Sequence, residues 1–392
     1  PAARPFRTTP AYDIQKEMGA VFGQQFGLEV ANYFASGEEP RYETPSFRRS
    51  NAFEATRREV KAVREAVGIN EVQNFGKFSV RGNGARPWLD RIMAGRIPVP
   101  GRISLTPMLS PKGRLIGDLT VSCIAADEFQ LTASYGYQAV HERWLRDNLD
   151  DGISLENISD QRTGFQIAGP RARDVLSAVT RDDVSAERFK FMDVKRMTVG
   201  MCDCIVQRVS YTGDLGYEIY SDAMSQRALW QTLWTEGQKH GMQPFGMRAM
   251  MSLRLDKFFG SWLSEFSPDY TPGETGMDRF IAFNKDADFI GRGAVEAERQ
   301  MGASRGLVVF EVDALDADVV GYEPVWINDE VKGFCTSGGY SHHAEKSIAL
   351  ALVDATCLVD DLQAEIEILG HMRPAKRIMR MLFDSDAHRM RG

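Results

Sequence analysis

Two carboxylates sit in this 392-residue chain where a plain amphipathic strand has no use for one. Glu218 closes the stretch RVSYTGDLGYEIY, Arg208 to Tyr220. Leu215, Tyr217 and Ile219 alternate there with Gly216, Glu218 and Tyr220. That period of two predicts a strand, with Thr212-Gly213-Asp214 supplying the turn ahead of it. Glu218 then lies on the face opposite Leu215, Tyr217 and Ile219. A carboxylate among tyrosines, beside a glycine that leaves room for a flat ring, can accept two parallel N–H bonds from an aminopyrimidine-type edge. The same spacing also describes a solvated strand glutamate, as most are. Asp118 presents the same choice. In Arg114-Leu-Ile-Gly-Asp-Leu-Thr-Val, Leu115, Leu119, Val121 and Cys123 share one face and Asp118 falls on the other. Aspartate is a poor strand former, so this position marks either a solvated edge or a site.

The elements that position these acids repeat. Phe78-x-Val80-x-Gly82-x-x-Ala85-Arg86-x-x-Leu89-x-x-Ile92 is matched without a gap by Phe165-x-Ile167-x-Gly169-x-x-Ala172-Arg173-x-x-Leu176-x-x-Val179, each position 87 residues after its counterpart. Two copies of this length imply duplicated domains rather than a solenoid. Each copy continues as a hairpin and a helix. Leu115 to Ile124 pairs with Phe129 to Ala133 ahead of a helix at Val140 and Trp144; Cys204 to Val209 precedes the Leu215 to Tyr220 strand, ahead of a helix at Leu229 and Leu233. A capping box, Thr56-x-x-Glu59, is expected to open a helix through Val60 and Val63. A further helix is expected from Arg248 to Phe259, stopped by Gly260 in the left-handed region. Beyond Asp288, Phe289-Ile-Gly-Arg-Gly opens a short helix. Short strands follow at Leu307 to Val312, Val325 to Ile327, Ile348 to Val353 and Glu365 to Leu369, with turns at Asn328-Asp329 and Gly338-Gly339, and predict a small all-β domain. The expected division is a lead-in over 1–55, α+β repeats over 56–155 and 156–285, and the β domain over 286–392. A cleft between duplicated halves is the default place for a ligand.

Composition narrows the classes. A formal charge of −7 argues against general nucleic-acid binding. No membrane segment is visible, and PAARPFRTTPAYD lacks the apolar core of a secretory signal. Five scattered cysteines without a CxxC pair suggest reduced thiols, in a cytoplasm or, in a eukaryote, a mitochondrial matrix. Six histidines show no ligand spacing with them, and no metal is expected. Gly291-Arg-Gly293 lacks the third glycine of a dinucleotide fingerprint, so no flavin site is expected.

Tyr211-Thr-Gly-Asp-x-Gly-Tyr-Glu-Ile resembles the folate-site signature of the glycine-cleavage T-protein (aminomethyltransferase) family. The resemblance implies that Glu218 holds the pteridine of tetrahydrofolate, with Tyr211 a neighbouring contact. The run around Asp118 resembles the segment bearing the family's catalytic aspartate, with Thr120 two positions on; Gly117 stands where the family usually has a second acid. Leu-Arg254-Leu-Asp resembles the family's Leu-Arg-Leu-Glu, and Arg254 is either a ligand contact or a surface salt bridge. Trp262 and Glu265, then Thr271-Pro-Gly-Glu274, follow the family's order; Trp262 would stack a cofactor ring or belong to the core. Cys335-Thr-Ser-Gly-Gly resembles the Thr-Ser-Gly turn of the C-terminal barrel. The lead-in phrases GAVFGQQFGLEVANYFA and PSFRRSNAFE resemble the segment joining flavin and folate halves in dimethylglycine and sarcosine dehydrogenases. Val209-Ser210-Tyr211 replaces the Lys-Gly-Cys-Tyr motif of the folate-binding iron–sulfur repair proteins.

The resemblance implies an α+β fold, two duplicated antiparallel-sheet domains and a C-terminal β-barrel. Asp118 would be catalytic, and Glu218, Tyr211, Thr120, Phe75, Arg254 and Trp262 would bind tetrahydrofolate. The expected activity is one-carbon transfer from a methylated amine of the dimethylglycine or sarcosine kind to give 5,10-methylenetetrahydrofolate, with a flavoprotein partner subunit or domain. Two alternatives stand beside it: direct demethylation of an onium or methyl ether substrate to give 5-methyltetrahydrofolate, and a folate-binding regulator without turnover.

Overall fold

The computed structural model describes residues 3–392, which fall into two compact units. The first takes the chain up to Lys77, Asn157–Lys257 and Leu382–Gly392. Its centre is a six-stranded sheet in the order Val194–Val199, Cys202–Gln207, Gly216–Asp222, Arg162–Ala168, Val67–Glu71, Met242–Pro244, antiparallel except for the last pair. Alternation sorts each strand. Val67, Ile69, Phe165, Ile167, Val206, Tyr217 and Ile219 pack on one face in a single core. The helices Ala172–Val179 and Gln226–Gly237 cover it, because Val175 and Leu176, and Leu229, Trp230 and Leu233, recur at helical spacing on one side of each. Truncating Phe165, fully enclosed there, would cost about 3–5 kcal/mol.

The lead-in packs as a hairpin, Ala20–Gln25 with Leu28–Phe34, closed by Phe26 and Gly27 at φ 49° and 88°, the signs that a tight hairpin turn requires. The next helix, Phe53–Glu65, starts before the expected capping box. Thr56 donates to the carbonyl of Ala52, while the Glu59 carboxylate accepts from the backbone N–H groups of Phe34 (2.6 Å) and Gly246 (2.8 Å). The box is absent because Glu59 ties the hairpin to the start of the Met247–Leu255 helix. Burial pushes Glu59 up to about 8.

The second unit takes Phe78–Glu156 and Phe258–Met381. Its five-stranded sheet runs Ile103–Leu109, Leu115–Ala125, Glu128–Ser134, Phe75–Arg81, Ser154–Asn157. Phe78, Val80, Leu119, Val121, Phe129 and Leu131 form its core with Trp88, Leu89 and Ile92 of the Ala85–Ile92 helix. A closed six-stranded barrel follows, in the order Arg305–Val312, Lys346–Asp354, Glu330–Ser341, Pro324–Ile327, Gln363–Ile368, His371–Arg377.

Three local expectations are corrected. Gly260 does not stop a helix in the left-handed region: the helix ends at Leu255 and Phe258 takes φ 57°. Gly260 is needed for space, since a Cβ there would lie 2.5 Å from the ring of Phe266. Gly338-Gly339 and Cys335-Thr-Ser-Gly are not turns but part of the twelve-residue Glu330–Ser341 strand, bulged between Cys335 and Ser337. A Cβ on Gly338 would lie 2.7 Å from both Val319 and the Ile348 carbonyl, so the glycine serves close packing. The His371–Arg377 strand, Pro-containing and polar, gave no periodic signal. Asn328-Asp329, by contrast, is the expected turn, at φ 52° and 60°.

The duplication is exchanged at its edges. Val67–Glu71, which leads into the first copy, pairs with Arg162–Ala168 of the second, Ile69 opposite Ile167. Ser154–Asn157, which leads into the second copy, lies beside Phe75–Arg81 of the first.

Candidate functional site

In the first unit, sheet register lines up a row of polar side chains. Gln207 and Gln166 stand directly opposite Glu218 on its two neighbouring strands, and Asn70 stands opposite Gln166. Directly opposed residues share a face. The row therefore runs Gln207, Glu218, Gln166, Asn70 on the side away from Tyr217 and Ile219. Tyr220 is on the same face, and its hydroxyl donates to Glu218 Oε2 at 2.7 Å. Burial raises the Glu218 carboxyl above its ordinary value, opposed by the Tyr220 bond and then by the Lys77 ammonium.

Among the described residues, both polar atoms of the Gln207 amide and Oε1 of Gln166 have no hydrogen-bond partner. Each such orphan costs about 1–3 kcal/mol. Glu218 retains 9 % exposure while Gln207 retains none, so Glu218 is the member of the row that a ligand reaches first. An acceptor-rich carboxylate flanked by unsatisfied amides fits the amine and ring N–H edge of a flat aminopyrimidine. Gly216 does not leave room for the ring as its position suggests: a Cβ there would lie 2.7 Å from Ser210, which fills the space.

Phe75 joins this cluster through its carbonyl, which accepts from Lys77 Nζ at 3.1 Å. Tyr211 is half-buried against Val60, Val63, Phe245 and Leu253. Arg254 is enclosed on the Met247–Leu255 helix, so it is not a surface ion pair. The motif's other acid, Asp214, holds the fold. It is wholly buried and meets Arg389 at 2.8 Å and Arg64 at 3.5 Å, while Arg64 also pairs with Asp256 at 2.7 Å.

In the second unit, Leu115, Leu119, Val121 and Cys123 are buried as their alternation requires, and Asp118 and Thr120 are half-buried on the other face. Opposite Asp118 stands Pro107, which has no N–H to offer; opposite Thr120 stand Leu105 and Thr132. Burial pushes Asp118 up to about 7, relieved only by its own backbone N–H. A carboxyl poised there can take or give a proton near neutrality.

The structure explains Gly117. A Cβ at that position would lie 2.5 Å from Cδ1 of Leu119 and 3.0 Å from Nε2 of His141, so a second acid there would require both side chains to move. His141 is itself enclosed, and burial lowers it to about 4. Trp262 lies among Leu109, Leu115, Phe266 and Met277, its ring 5.5 Å from both Tyr137 and His141. Glu265 is committed to structure, accepting from Ser261 N (2.9 Å), Thr336 Oγ1 (2.7 Å) and Ser337 Oγ (2.5 Å). Thr271 and Glu274 form a true capping box.

The structure thus gathers Glu218, Phe75, Tyr220 and Lys77 in the first unit, and Asp118 and Thr120 on one strand of the second. Sequence reading missed Lys77, Gln166, Gln207 and Asn70; of these Gln207 lies in the expected Cys204 to Val209 hairpin stretch, and the others carried no signal of their own. Among the described residues no His, Cys, Asp and Glu group could hold a metal ion, and no helix is long and apolar enough to cross a membrane.

Residues 11–285 match the GCVT N-terminal domain, and residues 305–384 match the glycine cleavage T-protein C-terminal barrel domain. The chain is 35 % identical over 394 residues to the mitochondrial dimethylglycine dehydrogenase of Homo sapiens, covering 100 % of this chain and 45 % of that protein. It therefore spans about half the length of that relative. It is 31 % identical over 329 residues to an aminomethyltransferase of a Geobacillus species, covering 83 % of this chain and 90 % of that one. The solved aminomethyltransferase T from Bartonella henselae shares the fold, with a TM-score of 0.83 at 20 % identity, over 97 % of this chain and 98 % of that one. Both matched domains and the aminomethyltransferase relative agree: the chain belongs to the glycine cleavage T-protein family.

Proposed function

We propose that the chain is a tetrahydrofolate-dependent one-carbon transferase that captures an iminium- or formaldehyde-level carbon from a methylated amine of the dimethylglycine or sarcosine kind, giving 5,10-methylenetetrahydrofolate. The observation that carries this reading is Asp118, a strand carboxyl without a counter-charge, held at about 7 by burial. Tetrahydrofolate supplies the nucleophilic amine. Asp118 in its ionised form orients that amine, steadies positive charge at the incoming carbon and accepts the proton released when the first C–N bond forms; the proton then goes to the departing donor amine, or to hydroxide leaving as water when the carbon comes from formaldehyde, as the second folate nitrogen closes the methylene bridge. Thr120, on the same face, is a polar neighbour for the same ligand. Glu218 accepts the amine and ring N–H groups of the pterin, and Phe75, Tyr211, Arg254 and Trp262 are the further folate-side residues of this reading. Holding both reactants in line removes much of the barrier.

The donor class follows from the likeness to dimethylglycine dehydrogenase, and the oxidising step is assigned to a flavoprotein partner, separate or attached. Mass spectrometry of the folate product tests the reading. Tetrahydrofolate is incubated with the chain and formaldehyde, or with dimethylglycine and a flavin-dependent dehydrogenase. Accelerated formation of 5,10-methylenetetrahydrofolate is expected. A 5-methyl product from an onium or methyl ether without the flavoprotein would replace this reading with direct demethylation, and binding without any product would leave a folate-binding regulator.

A further inference from the structure

We propose that Lys77 is a positioning residue for the Glu218 site, its buried ammonium keeping that carboxylate in the anionic form that a pterin edge requires. The inference rests on the folate reading above. Phe78 and Val80 belong to the core, so alternation along Phe75–Arg81 sends Lys77 to the opposite face. There it has 0 % exposure. Lysine is almost never fully buried unless paired. Its Nζ donates to the carbonyls of Phe75 (3.1 Å) and Gln73 (3.4 Å) and stands 5.7 Å from the centre of the Tyr220 ring, whose hydroxyl is bonded to Glu218.

The charges around the pair are few. Glu218 feels Tyr220 on its own strand and Lys77; Lys77 feels Glu218, Glu71, Asp160 and Arg162. Glu71 is already held by the neutral side chains of Gln15, Gln226 and Thr9. Among the described residues Lys77 is therefore the one cation acting on Glu218, and Glu218 heads the charges that act on Lys77. Burial lowers Lys77 to about 7 and raises Glu218, and each opposes the other's shift. A protonated Glu218 would turn one of its two acceptors into a donor and clash with the N–H edge it must receive.

The test is the anaerobic affinity of tetrahydrofolate from about pH 5.5 to 9. Wild-type affinity should fall on the acid side as Glu218 protonates. In Lys77→Met that fall should move up by about one pH unit or more, a tenfold or greater weakening near pH 6 that vanishes near pH 9, where Lys77 is neutral in the wild type. Lys77→Gln, still able to donate to the two carbonyls, should behave like Lys77→Met, and Lys77→Arg like the wild type. In a Glu218→Gln background, Lys77→Met should no longer alter the pH profile. Curves displaced equally at every pH, unchanged curves, or failure of both neutral variants to fold would overturn the proposal by reducing Lys77 to a structural part. Failure of the wild type to bind tetrahydrofolate would instead overturn the folate reading itself.

Discussion

The two copies of the repeat build similar sheets and then place their carboxyl groups in opposite circumstances. Around Glu218, register supplies two glutamines and an asparagine, its own strand adds the Tyr220 phenol, and Lys77 adds an ammonium. Around Asp118, register supplies a proline, and no charged neighbour opposes the effect of burial. A carboxylate with a hydroxyl and a cation at hand has the effect of burial opposed and suits recognition. One without them is left near its tipping point and suits proton transfer. Duplication provided the scaffold twice, and the side chains opposite each acid separate a binding surface from a reactive one.

The sharpest way to break this comparison is to remove the acid that belongs to neither role. Asp214→Ala strips Arg64 and Arg389 of a buried partner and should cost about 3–5 kcal/mol, toward the lower figure because Arg389 is partly exposed. Denaturant unfolding measures it. A loss under about 1 kcal/mol would mean that the motif aspartate is not the anchor described here.

Next in size, Asp118→Asn should cut single-turnover transfer at saturating folate by roughly a hundredfold or more, with affinity changed only a few fold. The wild-type rate should rise with pH through about 7 as Asp118 ionises. A variant that keeps most of the rate removes Asp118 from catalysis. Glu265, bound by three donors, is then no substitute.

Glu218→Gln should weaken tetrahydrofolate by about 1.5–3 kcal/mol, the worth of charge-assisted bonds, without a comparable loss of rate at saturation. Calorimetry decides it, and unchanged affinity would end the assignment of Glu218 as the recognising group.

The smallest effect sharpens the contrast through stability. The folded Asp118 carboxyl titrates near 7 and the unfolded one near 3.8. The folded state therefore loses stability as pH rises between those values, because the charged form is penalised by burial. Asp118→Asn should raise the melting temperature by a few °C near pH 8 and leave it nearly unchanged near pH 4. Equal shifts at both pH values would deny the penalty.

Much of this was legible in the sequence because it is periodic. Phe78 and Phe165 begin two copies of one phrase, and alternation alone put Asp118 and Glu218 on the faces away from Leu119 and Tyr217. What alternation cannot show is what covers a face. Lys77 looks like an ordinary solvated lysine until its burial is seen, and Gln207 and Gln166 acquire meaning only through cross-strand register. Local motifs misled where a long-range partner outweighed the local one. Glu59 matches a capping box but receives Phe34 and Gly246, and Gly216 and Gly338 serve close packing rather than a ligand or a turn.

The exchanged edge strands carry a consequence for synthesis. Val67–Glu71 emerges from the ribosome with Val67 and Ile69 on its core face, yet its partner Arg162–Ala168 lies some ninety residues later in the chain. At ordinary elongation rates that is a wait of roughly 5–20 s. During it, a five-residue strand with unpaired N–H and C=O groups is open to any passing edge. The nascent chain therefore has an interval in which chaperone occupancy, or a slow codon placed before residue 162, would change the yield of folded protein without changing its stability.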